Sequence, residues 1–519
     1  MAFEQGCPFN VTPYDKSNIV KTPQLKNVNY TNQDFYSMKS RLISLIKEEF
    51  GDTFNDFVES DIVAMLIENW AFVADTLSFK MDQIANEIFI DTVSEVDNAF
   101  RLSQLVGFQP VPPIGARALF SAQLNQVLET NLTIDAPIVV DYSTDEGTKT
   151  FELFPADTNM EPVFNESIII PSGNFINTNI IGIEGKGYNQ IASGTGESNQ
   201  AIPLNFGPVI YKSIRVRIDG AEWAEVDYFT SSQPRKEFRV EYDSNYNAFI
   251  IFGNQRAGMI PSESSQMSIN FRVGGGISGN IVTGSVGLVR NFIVPGLDFR
   301  ITVEFRNYTK GEFGYVGDTI EDIKNNLPLF LRTQDRAVSG DDYEIIANQF
   351  VTPYNGQIGK STAALRNYGC AANVIDLFVL TQVEENGLEE SSNELKNMLQ
   401  EEINKKKIFT DYVCIRDGVV VETDIAVDVV LDKFYKKFED ELREKTNRRI
   451  DTFFALHNWD YEKTLKDIDL VKALADINEF SAVEVNFTTV DPENSGSTVT
   501  TKFYEIIRPK TITLNFIFE

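Results

Sequence analysis

Ser213-Ile214-Arg215-Val216-Arg217-Ile218-Asp219 and Glu237-Phe238-Arg239-Val240-Glu241-Tyr242-Asp243 decide the centre of this chain. Apolar and polar residues alternate strictly in both. A period of two puts one face of a strand in a core and the other in water. Turn residues recur on either side, and no helical period interrupts them from about Ala116 to Phe305. The stretch reads as all-β, as two modules in succession, with the Gly-, Ser- and Asn-rich residues 184–200 as a loop.

Toward the N-terminus the period changes. Gln109-Pro110-Val111-Pro112-Pro113 is a stop signal. Before it come a helix from about Val93 to Val106 and a longer one from about Asp61 to Ile90. A first helix follows the capping residues Thr31-Asn32-Gln33-Asp34 and runs to about Phe50. The long helix carries Ile62, Met65, Leu66, Val73, Leu77, Met81, Ile84 and Ile88, mostly three or four residues apart, as one apolar stripe. Trp70 and Phe72 add aromatic bulk beside it. So short a region can bury the stripe internally or lend it to helices of other chains, and the residues leave both open. Residues 1–30, with Pro8, Pro13 and Pro23, read as an extended arm.

Toward the C-terminus the pattern is mixed. Helices are expected from Asp318 to about Leu331, from the capping box Ser339-Gly340-Asp341-Asp342 to about Phe350, and from Leu388 to about Ile403. Two more are expected from Lys436 to about Leu456 and from Asp467 to Ile477. Strands are expected at Val374–Leu380, Val483–Val490 and Thr423–Asp432. In the last, Ile425, Val427, Val429 and Leu431 point one way. Thr511 to Phe518 alternates again. The fold class is therefore multi-domain α+β: an N-terminal helical region, central all-β modules, and a C-terminal α/β module ending in β.

Length and charge bound the function. The chain has 519 residues and a formal net charge of −29. That field repels phosphate backbones and anionic lipid, so neither nucleic acid nor membrane is an expected partner. No unbroken run of 18 apolar residues occurs, so no spanning helix is expected, and the first residues do not resemble a signal peptide. The run Lys405-Lys406-Lys407 reads as a solvated helix end. Cys7, Cys370 and Cys414 fit no metal spacing and read as reduced thiols. The single histidine, His457, sits just past a helix and reads as an ordinary helix-end residue.

Motifs that carry chemistry are weak. Gly274-Gly275-Gly276-Ile277-Ser278-Gly279 matches a dinucleotide fingerprint in form, yet β-like residues follow where a helix is needed. Gly356-Gln357-Ile358-Gly359-Lys360-Ser361-Thr362 has Tyr354 where a phosphate loop needs glycine. Asp341 and Asp342, Glu384 and Glu385, and Glu389 and Glu390 read as solvent-facing acids rather than an opposed catalytic pair. No cofactor, metal or catalytic residue is expected, and a carbohydrate-active enzyme is a remote third reading.

Three fragments remain. The first is Ile251-Phe252-Gly253-Asn254-Gln255-Arg256-Ala257-Gly258-Met259-Ile260-Pro261, followed by Phe271-Arg272-Val273-Gly274-Gly275-Gly276 and Gly279-Asn280-Ile281. The second is Asp91-Thr92 with Leu102, Leu105-Val106-Gly107-Phe108 and Pro110. The third is Pro328-Leu329, then Leu331-Arg332-Thr333-Gln334-Asp335-Arg336-Ala337-Val338, with Asp342-Tyr343-Glu344. In their order along the chain, second, first and third, they resemble the baseplate J-like family, the wedge subunits of contractile phage tails and related injection systems. Phe271 stands where that family usually has Tyr, and Asn254 where Asp is common. Phe252, Gly253, Gly258, Pro261, Gly274, Gly275, Gly276, Gly279 and Asn280 are the positions that carry the central motif.

The resemblance implies a structural, non-enzymatic protein of the virion tail baseplate, assembled in the host cytoplasm. It implies pairing with a second copy and a smaller wedge subunit, whose helices join the stripe from Ile62 to Ile88 in a bundle. It implies contacts with a sheath initiator and a central hub, and a role in passing on the rearrangement that triggers sheath contraction. The implied plan is an arm over 1–30, a wedge-bundle region over 31–109, β modules over 114–305, and a dimerisation or ring domain over 318–519. Joints are expected near Pro110–Pro113 and near residues 306–318. The rival reading is a β-rich tail adhesin that binds glycans.

Overall fold

The computed structural model describes residues 34–51 and 62–518, apart from 145–146, 158–160, 165, 230–232, 294–299, 354, 368–372, 384–385, 478 and 492–493. The expected arm, Cys7, Cys370, Glu384 and Glu385 lie outside the described residues. Two compact units are present. One takes Val111–Gly317 with Leu329–Glu519; the other takes the described part of Asn18–Pro110 with Asp318–Pro328.

In the second unit, Asp34 caps α1 (Phe35–Phe50). Its carboxylate accepts from Ser37 N at 2.8 Å, while Ser37 Oγ accepts from Asp34 N at 2.9 Å. Next come α2 (Ile62–Asn86) and α3 (Val96–Leu105). The start of α3 is held from a distance: the Glu87 carboxylate accepts from Ser94 N, Glu95 N and the Asn98 side chain at 3.0–3.2 Å. A carboxylate there also complements the positive end of the helix dipole.

The β region is nested, not successive. The outer module contains β1 (Arg117–Leu124), β2 (Leu132–Ile134), β3 (Ile138–Thr144), β4 (Gly147–Pro155), β5 (Ile168–Ile170) and β6 (Ile176–Glu184). The chain then leaves through Gly185 into an inserted module. That module holds β7 (Lys186–Ser193), β8 (Ala201–Pro203), β9 (Arg215–Ile218), β10 (Ala221–Glu225), β11 (Glu237–Tyr242), β12 (Ala248–Phe252) and β13 (Gln266–Val273). It returns for β14 (Gly287–Ile293) and β15 (Arg300–Asn307), which complete the outer sheet in the order β14-β15-β1-β6-β4-β3. Burying Phe120, Phe151, Val303 and Phe305 together is what draws β15 back against β1.

The inserted sheet runs β7-β13-β9-β10-β11-β12-β8. Its two edge strands are tied by side chains. Gln190 donates to Pro203 O and accepts from Asn205 N, and Gln200 donates to Ser193 O, each at 3.0 Å.

The α/β part begins with α4 (Ile320–Thr333), which runs across the division between units, and α5 (Gly340–Asn348). Then come β16 (Gln357–Asn367), β17 (Asn373–Gln382), β18 (Leu388–Glu390), α6 (Asn393–Lys406) and β19 (Asp411–Asp417). β19 lies parallel to β17, with α6 as the crossover, and Leu395, Leu399 and Ile403 pack on Leu377 and Val379. The last layer holds β20 (Val419–Leu431), α7 (Glu439–Phe453), β21 (Leu465–Lys466), α8 (Asp467–Leu474), β22 (Phe480–Thr489), β23 (Thr498–Val499) and β24 (Glu505–Phe518). β20 is central between β22 and β24, and Ile425, Val427, Val429 and Leu431 face Leu442, Ile450, Leu470 and Leu474.

Several expectations are corrected. Residues 186–193 form a strand, because pairing with β13 from Ser193↔Gln266 to Lys186↔Val273 overrides their turn-rich composition. Leu388–Glu390 is a strand on β17, and α6 starts only after the Ser392 cap. Residues 433–438 form a 3-10 turn ahead of α7. By length and composition, α2 is apolar enough to cross a membrane, contrary to the expectation of no spanning helix; Glu68, Asp75, Lys80 and Asp82 break its apolar run.

Candidate assembly face and the glycine crossing

The apolar stripe of α2 is not a core. Ile62, Met65, Leu66, Val73, Leu77, Met81 and Ile84, with Ile88 just past the helix, are 47–69% exposed. Trp70, Phe72, Phe79 and Phe89 are exposed as well. The intrachain reading of the stripe is thereby corrected. α2 buries instead Ala64, Ile67, Ala71 and Ser78, at spacings of three, four and seven. Small residues on such a seam allow a close helix neighbour, and α1 packs along α2 with Lys39 Nζ 2.6 Å from Glu68. α1 itself buries no residue. Isolated apolar side chains on a surface are ordinary, whereas here they stand together along one helix.

The second fragment of the resemblance ends this region. Thr92 is buried, its hydroxyl donating to Asn86 O at 2.5 Å, and Phe108 is buried behind Gly107. Leu105 is exposed.

The central motif builds turns and a crossing. Phe252 is fully buried, edge-on to Trp223 with centroids 5.4 Å apart. The turn after it is closed by Asn254, whose side-chain oxygen accepts from Arg256 N and Ala257 N at 3.1 and 3.0 Å. A Cβ on Gly253 would lie 2.3 Å from the carbonyl carbon of Gly258, so only glycine fits there. Gly258 packs on the Phe229 ring, and Pro261 is buried beyond it.

Gly274, Gly275 and Gly276 take φ of 139°, 92° and 116° where the chain returns from the inserted module. Gly275 N donates to Glu184 at 2.7 Å, and Gly279 packs on Ala116. Asn280 exchanges two bonds with the Gly314 backbone, at 2.9 and 3.3 Å. No helix follows these glycines beyond the 3-10 turn Ile277–Gly279. The Gly-Lys-Ser-Thr run lies in β16. There Lys360 pairs with Asp460, and Ser361 and Thr362 bond Glu344.

The third fragment wires the α/β part, and two acids are corrected. Asp341 and Asp342 are 5% and 8% exposed, not solvent-facing. Asp341 accepts from Arg332 at 2.8 Å, and Asp342 completes the capping box by accepting from Val338 N and Ser339 N. Buried carboxylates persist where such donors satisfy them. Tyr343 donates to Asp411 at 2.8 Å, and Glu344 accepts from Ala363 N at 2.7 Å, joining α5 to β19 and β16. Lys406 and Lys407 are engaged too, by Asp335, Glu402 and Asp411 O; Lys405 is 71% exposed.

Glu389 and Glu390 are exposed, with Glu389 paired to Lys310, and His457 is exposed in a 3-10 turn. Cys414 is a half-buried thiol, in no disulfide among the described residues. Among the described residues no group of three or more His, Cys, Asp or Glu is placed to hold a metal. An open cavity of about 660 Å³ in the inserted module is lined by Lys212, Arg215, Glu222, Trp223, Glu225 and Asp227. Burial pushes Glu225 up to about 7 against the pull of Lys212. The cavity mixes both signs of charge and converges on no single ligand chemistry.

No curated protein matches the chain in sequence. Its fold aligns with a chain of the cryo-EM structure of the anti-feeding prophage baseplate, 6-fold symmetrised, over 91% of this chain and 90% of that one. The identity is 9% and the TM-score 0.34. Residues 34–105, the span of α1 to α3, match the family described as bacteriophage baseplate protein, N-terminal domain, and this match supports a baseplate protein.

Proposed function

We propose that the chain is a structural wedge subunit of a contractile tail baseplate or a related injection system, of the baseplate J-like kind. The observation that carries the reading is a coincidence of position. The span that matches a baseplate N-terminal domain contains the helix whose large apolar side chains stand exposed. Such a face is completed by apolar helices from other chains. On this reading the partners at α2 are a smaller wedge subunit and a second copy of the chain. The α/β part joins a ring around the hub and meets the sheath initiator.

The particle assembles in the host cytoplasm and ends in the virion tail. The protein acts by position and movement, without catalysis. The division between compact units at Pro110/Val111 and at Gly317/Asp318 supports joints at those places, through which a rearrangement reaches the sheath. A membrane role for α2 is disfavoured by its acids. Glu68, Asp75 and Asp82 recur every seven residues, which suits a bundle flank better than lipid.

The test is native mass spectrometry of the chain co-expressed with its neighbouring reading frames. A stable complex with a smaller helical partner and two copies of this chain is expected. A lone monomer in every co-expression would overturn the proposal.

A further inference from the structure

The inserted β module is joined to the outer one by two strand crossings, β6 to β7 through Gly185 and β13 onward through Gly274. A small polar cluster sits between them. Arg272 on β13 donates through Nη1 to Glu152 on β4 at 2.5 Å, and through Nη2 to Ile183 O and Gly185 O at 3.1 and 2.7 Å. Glu152 also accepts from Gly187 N at 2.9 Å. Glu184, at the end of β6, is 1% exposed and accepts from Gly275 N on the returning strand. The same chain segments are therefore held from both sides by buried side chains.

Facing Glu184 are Arg272 from β13 and Lys149 from β4, but Arg272 is already committed to Glu152, and Lys149 is half-buried nearer the surface. The segment 274–280 brings the Gly275 amide but no charged side chain, and Ala116 brings a methyl group. Burial is the main influence on Glu184 and pushes its carboxyl up to about 7, against the pull of Gly275 N, Lys149 and Arg272.

We propose that the two crossings form a proton-controlled joint, in which the buried guanidinium of Arg272 is committed to Glu152, Glu184 is held by the Gly275 amide, and loss of the Glu184 proton loosens the hold on the inserted module. The inference rests on the cluster alone and stands whether or not the chain is a wedge subunit.

The sign follows from linkage. In an opened joint Glu184 returns to its ordinary value near 4.5, whereas closed it sits at about 7. Opening is hardest at acid pH and becomes easier, up to tenfold per pH unit, as pH rises between those values. Above the closed value it levels off.

The experiment is hydrogen exchange on the full chain, corrected for intrinsic rates, at about pH 5 and about pH 7.5. Wild-type amides over 183–188 and 271–280 should lose protection by on the order of tens of fold between those conditions. Amides of the β20 core should not follow. Glu184→Gln should keep the crossings protected at both pH values. Lys149→Met, at a half-buried site, should widen the range of the loss by moving its upper limit to higher pH. Wild-type protection at the crossings that is independent of pH overturns the proposal. So does a Glu184→Gln variant that keeps the wild-type pH dependence. If that variant does not fold, an upper limit unmoved by Lys149→Met overturns it instead.

Discussion

Replacing Leu66, Val73 and Leu77 together with glutamate tests whether the face of α2 is an interface. The three side chains are 50%, 47% and 60% exposed. Full burial of such a side chain stabilises by about 1.5–3 kcal/mol, so roughly half of that, about 0.8–1.5 kcal/mol each, is still to be gained on assembly. Summed over three, the loss is about 2.5–4.5 kcal/mol, or about two to three orders of magnitude in affinity. The free chain should barely notice, since surface substitutions cost within about 0.5 kcal/mol. Sedimentation of the mutant with its co-expressed partner reads the first number, and thermal melting of the mutant alone reads the second. Assembly at wild-type affinity would refute the reasoning. So would a mutant that melts far earlier by itself, because the stripe would then be core.

Three further outcomes are expected. Arg272→Met removes the partner of a buried carboxylate, and urea unfolding should show a loss of about 3–5 kcal/mol. Gly275→Ala puts a Cβ at φ 92° and 2.7 Å from Pro113, and should cost at least about 1–3 kcal/mol in the same assay. Glu184→Gln should stabilise the chain relative to wild type as pH rises. The wild-type carboxyl is at full advantage below about 4.5 and loses it as pH climbs to about 7. The gap should reach about 3 kcal/mol by pH 8 in pH-dependent denaturation.

What could be read from the chain follows from which interactions are local. The α2 stripe and the alternation in β9, β11 and β20 are patterns of period, and they appear in the residues themselves. The nesting of one β module in the other is not local. It depends on Phe305 pairing with Ala122 across the whole inserted segment, and nothing in the period of either strand names its partner. Leu388 falls seven residues before Leu395 and mimics a continued helical stripe, while the cap at Ser392 is the signal that places the true start. Asp341 and Asp342 look like surface acids until Arg332 and the Val338 and Ser339 amides are brought beside them. The Glu184 cluster gathers residues from β4, β6 and β13, so only the folded chain shows it.

Hydroxyl-radical footprinting of α2, in the free chain and in the assembled particle, tests the central claim most directly. Met65, Trp70, Phe72, Phe79 and Met81 are all more than half exposed in the free chain and should label readily. In the particle they should be protected, while surface residues of the inserted module such as Ile191 keep their labelling. Equal labelling of the α2 residues in both states would contradict an assembly role for this helix.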